Sequence, residues 1–328
     1  MDIRSLFQKQ KMMRQVLLSL VPVALAAVFL YGWRVVMLFA VVSVCAVVAE
    51  YLVARSISGD KAKVSEAVFV SSALFTLSLP PMTPAWIAVV GIVVGIVFGK
   101  MVFGGFGRNV FNPALVARCF IYVAFPAAMT VTWSQPFLSL PGGFAAFQPA
   151  ADAITAATPI ITFNTTRAMA PLQDLFLGFV NGSLGESSAL LILLGGAYLL
   201  IRKVASWKLM LSTVIGGLAL SAVLYYAGVT GPEGRPLAPP LFTLLSGGFL
   251  YGAVYMITDP VSAPKDSTSQ WIAGLLVGMV TVVIRSFALF TEGIMFAILI
   301  VNSLTPLIEL KVRDWKNRGK GAATEAAA

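Results

Sequence analysis

Residues 100–120, KMVFGGFGRNVFNPALVARCF, place four turn-forming residues (Gly104, Gly105, Gly107 and Asn109) ahead of Asn112-Pro113. A glycine-rich backbone can approach a flat ligand closely, and asparagine side chains offer both a donor and an acceptor. Asn112 also stands where a helix could be capped, with Pro113 at its first position. A tight turn and a cap are therefore the plain alternative. The stretch lacks the third glycine of GxGxxG, no strand precedes it, and GIVVGIVFGK beside it misses the phosphate-loop spacing. Neither fingerprint makes it a nucleotide site.

A second stretch, ADAITAATPIITF (151–163), combines a lone acid, Asp152, with small residues and the threonines Thr155 and Thr158. A threonine hydroxyl can form a phosphoester, and small neighbours leave access for a modifying enzyme. On the residues alone, an ordinary polar loop explains it as well. A third set is ionisable: Glu50, Glu66, Asp259 and Glu309 fall near the same ends of four apolar runs, and Arg118 lies inside another. Charges there are costly and need a partner or a task. Four carboxylates on one face could form a cation entry vestibule. Hard carboxylate oxygens suit Na⁺ or a transferred proton, so Asp259, Glu66 and Glu309 are candidates for an ion pathway. Interface salt bridges, Glu50 with Arg55 and Glu309 with Lys311 or Arg313, are the structural alternative. Glu186, after GSLG, is a candidate helix cap. Histidine is absent and the two cysteines, Cys45 and Cys119, lie in apolar runs, which excludes haem held by histidine and a four-thiolate cluster.

The elements that must position these residues are membrane spans. Of the 328 residues, 58% are hydrophobic and 11% charged, against about 25% charged in soluble domains. Apolar runs near 15–32, 35–54, 66–80, 84–100 and 113–131, then 187–202, 208–228, 240–257, 271–285 and 290–309, predict about ten spans. The first is read as a retained helix rather than a signal peptide. With both termini cytoplasmic, 18 of the 23 Lys and Arg residues fall inside and three, Arg34, Arg167 and Arg235, outside, as the positive-inside rule requires. The +9 net charge thus marks orientation, not nucleic acid. The expected layout is a cytoplasmic 1–14, a first membrane repeat 15–131, an extracytoplasmic loop 132–186, a second repeat 187–310 and a basic cytoplasmic tail 311–328.

The halves are alike. LSLPPMTP (77–84) and MITDPVSAP (256–264) each precede a glycine-bearing span, and Pro80 to Asn112 and Pro260 to Glu292 are both 32 residues apart. Paired Pro/Gly interruptions predict an all-α fold of two inverted five-helix repeats with a site between them. Gly91, Gly95 and Gly99, four residues apart, predict close helix packing.

Taken in order, GGFGRNVFNPALVARCFIYVAFPAAM, GSLGESSALLILLGG, MITDPVSAP and EGIMFAILIVNSLTPLIE resemble the membrane subunits of ion-pumping redox complexes. These are the D subunit of the Rnf electron-transport complex and the related B subunit of the sodium-translocating NADH:quinone reductase. The likeness runs from about residue 15 to 312, and the short N-terminus resembles the Rnf subunit more. It implies FMN joined through its phosphate to Thr158, in an attachment motif matched by Asp152, Thr155 and Ala157, with Ala156 where the family has glycine. It also implies non-covalent riboflavin contacted by Asn109 and Asn112, with Arg118 facing a flavin phosphate or an acid. The expected function is flavin-to-flavin electron transfer coupled to Na⁺ or H⁺ movement in a bacterial or archaeal cytoplasmic membrane. Iron–sulfur clusters and nucleotide sites would then belong to partner subunits. The rival readings are the quinone reductase subunit and, from another class, an inverted-repeat transporter or channel without redox work.

Overall fold

The computed structural model describes residues 6–130, 133–149, 157–288 and 292–326. Its long helices are α1 (Lys11–Tyr31), α2 (Arg34–Ser58), α3 (Ala67–Leu77), α4 (Ala85–Ile96) and α5 (Pro113–Ala124), followed by α6 (Pro159–Thr166) outside the main bundle. The second half contributes α7 (Ala189–Ile201), α8 (Trp207–Tyr226), α9 (Pro240–Leu245), α10 (Ser267–Phe287) and α11 (Gly293–Ala326). Among the described residues five helices are long and apolar enough to cross a bilayer, and α3, α4, α5 and α7 are shorter. Apolar side chains such as Leu25, Val44, Leu52 and Val223 stand more than half exposed on the bundle. An apolar exterior of this kind is what lipid, not water, accommodates. The protein is a mostly helical, multi-pass membrane protein.

Most expected spans meet their helices within a few residues, and the departures have local causes. The run 113–131 breaks at Phe125, ahead of Pro126, whose ring cannot follow an unbroken helix. The run 240–257 divides into α9 and a segment that winds as a π-helix over Gly252–Met256. A second π-helical turn, Val97–Met101, extends α4. The glycine stripe packs as expected. A Cβ on Gly95 would lie 2.5 Å from the Pro113 carbonyl oxygen and 2.6 Å from Ala117 Cβ, and one on Gly91 would lie 2.6 Å from Ile121. Hydrogen in place of a side chain lets α4 and α5 touch backbone to backbone.

The helix ends gather at two opposite ends of the bundle. At one, the parallel pair β1 (Phe7–Gln8) and β2 (Val64–Ser65) joins the N-terminus to the α2–α3 turn, and the Phe106–Gly107 turn meets Pro260, Val261 and Lys265. At the other, Leu184 and Gly185 donate backbone N–H groups to Leu79 and Leu77 (3.0 and 2.6 Å), and Arg34 reaches the carbonyls of Pro81 and Thr83. The two proline-rich breaks, 77–84 and 258–264, therefore lie at opposite ends of the bundle.

Candidate functional site

The break after the π-helical segment Gly252–Met256 and the glycine-rich turn after Val97–Met101 enclose a cleft between the halves. Met13 and Val16 of α1 and Ala67, Val70 and Leu74 of α3 give it apolar walls, while Lys100, Asn109, Asn112, Tyr255, Thr258 and Asp259 supply convergent polar groups. An apolar cleft with a few placed polar groups is the usual form of a small-molecule site. Gly104, Gly105 and Gly107 all have φ between 88° and 101°, a left-handed backbone that bends the turn back over the cleft and favours glycine. Tyr255 donates to the Ser19 carbonyl at 3.1 Å, and only a glycine at 195 leaves room for its hydroxyl.

The two asparagines divide the work. Asn112 Oδ1 accepts from Ala114 N at 3.0 Å as the cap of α5, and its Nδ2 donates to the Met256 carbonyl at 3.2 Å. It caps its own helix and bridges the halves, so its amide is already engaged. Asn109 Nδ2 donates to the Phe111 carbonyl at 2.9 Å, and its Oδ1 accepts no hydrogen bond among the described residues. Lys100 opens the stretch 100–120, but sequence reasoning gave it no role of its own, although a lysine closing the apolar run from Ala85 is itself a signal. It is 1% exposed, and its ammonium lies 2.6 Å from Glu50 Oε2 and 2.6 Å from Ser65 Oγ.

The four acids are held by different partners. Glu50 pairs with Lys100, not Arg55, and also accepts from Ser65 N and Oγ at 2.9 Å; Arg55 turns instead to Tyr51 and Asp60. Glu66 is bound by Arg14 at 2.5 Å and by Gln10 N at 2.7 Å. Glu309 accepts from Lys265 N at 2.7 Å, in a separate groove with Arg313 and Lys316. Asp259 alone of the three ion-pathway candidates lines the cleft, where it accepts from Ser262 Oγ at 2.9 Å and Val261 N at 3.3 Å.

Towards the opposite end a second hollow is lined by Trp133, Thr158, Asn181, Ser183, Glu186 and Glu292. Thr158 is the residue before α6 and its hydroxyl makes no capping bond, so it remains available, beside the unpaired backbone N–H groups of a helix start. Ala157 is held through its carbonyl by Asn181 Nδ2 at 3.2 Å. Asp152, Thr155 and Ala156 lie outside the described residues. Arg118, 1% exposed, faces an acid: it pairs with Glu292. Glu186 does not cap α7, because Ser188 does so by accepting from Leu191 N. Rising about 1.5 Å per residue, α5 carries Arg118 only about 9 Å above Asn112, so Arg118 stands between the two hollows.

A mostly helical bundle with an apolar exterior and a polar cleft between its halves defines a multi-pass membrane protein. Within that class the assignment is direct: the model of the NQR2, RnfD, RnfE family matches residues 3–316, and the chain belongs to this family. Among its relatives, the B subunit of the Na(+)-translocating NADH-quinone reductase of Pseudomonas paraeruginosa is 39% identical over 252 residues, covering 75% of this chain and 60% of the relative. That of Chromohalobacter salexigens is 42% identical over 257 residues, covering 75% and 58%. The match thus spans about three fifths of the length of these relatives.

Proposed function

We propose that the protein is a flavin-carrying membrane subunit of an ion-translocating oxidoreductase, with FMN on Thr158 and riboflavin in the cleft beside Asn109. The observation that carries this reading is the pairing of two hollows in one bundle, joined along α5. One presents a free threonine hydroxyl; the other presents an unengaged asparagine carbonyl and a buried lysine in an apolar cleft. The donor set fits the groups: Asn109 can meet the amide-like edge of an isoalloxazine, and the start of α6 suits a phosphate. Flavins bound there would accept and pass on electrons. The chain's own part is to hold them in a water-poor bundle and to keep Arg118, paired with Glu292, between them.

The breaks at opposite ends support two inverted repeats, and the basic residues support a cytoplasmic face at the Lys100 end with Thr158 outside. Coupling to Na⁺ or H⁺ would use Asp259 first, since it alone of the three ion-pathway candidates lines the cleft. Glu66 and Glu309, held by Arg14 and by Lys265 N, would sit at the entrance. The relatives' name favours Na⁺ and a quinone reductase, the family's name allows an Rnf-type complex as well, and either assignment implies partner subunits carrying the nucleotide and iron–sulfur chemistry. In-gel flavin fluorescence that survives denaturation and is absent from Thr158→Ala tests the tether. Flavin extraction from Asn109→Ala tests the cleft: retention of all non-covalent flavin would remove Asn109 from the site.

A further inference from the structure

The wall of the cleft buries a cation, Lys100, in an ion pair with Glu50. Lys100 is 1% exposed and Glu50 3%, and exchanging such a pair for apolar residues is often neutral or stabilising. Oε1 of the carboxylate accepts from Ser65 N and Ser65 Oγ, and Oε2 from Lys100. An ammonium has three N–H groups. Two are used, on Glu50 Oε2 and Ser65 Oγ, and the third has no acceptor among the described residues. A buried donor without an acceptor costs free energy, and Lys100 also lines the cleft with Asn109 and Asp259.

We propose that Lys100 is the electrostatic partner of the flavin in this cleft, offering its third N–H to an acceptor of the ring and setting how readily the ring is reduced; this rests on the flavin reading above. Uptake of two electrons and one proton leaves the ring with one net negative charge. A fixed cation beside it favours that form over the neutral oxidised one. Glu50 and Asp259, the other charged groups facing Lys100, act the opposite way. The balance among the three therefore sets the potential: Glu50 moderates Lys100 and holds it in place.

The test uses the full-length protein in a Thr158→Ala background, so that only non-covalent flavin is read, with a redox titration followed by flavin absorbance. A charge within about 4–6 Å shifts an ionisation equilibrium by one unit or more, and a reduction that adds one charge responds similarly. The double variant Glu50→Gln/Lys100→Met, which removes both charges together, is expected to bind riboflavin with its reduced-to-oxidised ratio lowered about tenfold at the midpoint of the background protein. Glu50→Gln alone, leaving the ammonium uncompensated, is expected to move the ratio the other way, and Lys100→Arg to hold it near the background value. Retained flavin with an unchanged ratio in both Glu50→Gln and the double variant would overturn the role of Lys100 and leave the flavin site standing. A background protein with no extractable flavin would overturn the site itself.

Discussion

Arg118, in the middle of α5, and Glu292, at the start of α11, form a buried ion pair across 174 residues of sequence. It joins the two halves of the molecule at the level between the two hollows. Removing one partner leaves the other charged and buried, which costs about 3–5 kcal/mol. Arg118→Ala and Glu292→Ala should each lower the thermal unfolding midpoint in detergent markedly. A neutral pair, Arg118→Met with Glu292→Gln, should lower it less than the sum of the single changes. Additive losses would show that the two side chains do not act together.

Close contact of α4 with α5 rests on Gly95. Adding the single carbon of Gly95→Ala must displace the Pro113 carbonyl or Ala117, since the new Cβ would fall 2.5–2.6 Å from both. Overpacking of this kind costs about 1–3 kcal/mol, and because Pro113 follows Asn112, the cleft should widen with it. Lower thermal stability and lower retention of non-covalent flavin are the expected readouts. An unchanged melting curve would show that the two helices part without cost.

Asn112 and Asn109 should respond differently to truncation. Asn112→Ala removes a helix cap, worth about 1 kcal/mol, and the bridge to the Met256 carbonyl, so it should lower stability and flavin content together. Asn109→Ala loses only a local bond to Phe111 and should lower flavin content with little change in stability. Equal effects on both quantities would contradict this division.

The basic end of α11 is tied back by Lys316, whose ammonium lies 2.5 Å from Asp266 Oδ1. Its hydrogen bond holds the Asp266 carboxyl below the ordinary carboxylate range, as do the N–H groups of Thr268 and Ser269 that it caps. A depressed folded value means the contribution is complete above the ordinary value of about 3.9 and is lost as the pH falls through the folded one. Hydrogen exchange near Lys316 and at the start of α10 should therefore stay slow from neutral pH down to about 4, once corrected for intrinsic rates. Below that it should rise, and in Asp266→Asn it should be raised throughout. Equal protection in the variant at neutral pH would show that the tie is idle.

Much of this architecture could be read from residue types because lipid imposes a simple code. Long apolar runs gave α1, α2, α8, α10 and α11, and glycine spacing gave the α4–α5 contact. The Asn112-Pro113 cap followed from local chemistry. Pairings over long sequence distances had no such signal. The partner of Glu50 is Lys100 and not the neighbouring Arg55, because the α2–α3 turn carries Ser65 under Glu50 and the π-turn brings Lys100 to both. The partners of the other acids had no such signal either: Arg14 and the Lys265 backbone hold Glu66 and Glu309 separately. For Arg118 the residue types allow a phosphate or an acid, and only the fold brings Glu292 to it.

The flavin proposed on Thr158 would be a covalent mark on one peptide. Peptide mass spectrometry of the full-length protein, from cells with an active flavin transferase, addresses it most directly. The expected result is a peptide carrying FMN as a phosphoester at Thr158, lost in Thr158→Ala. An unmodified Thr158 from those cells would contradict it.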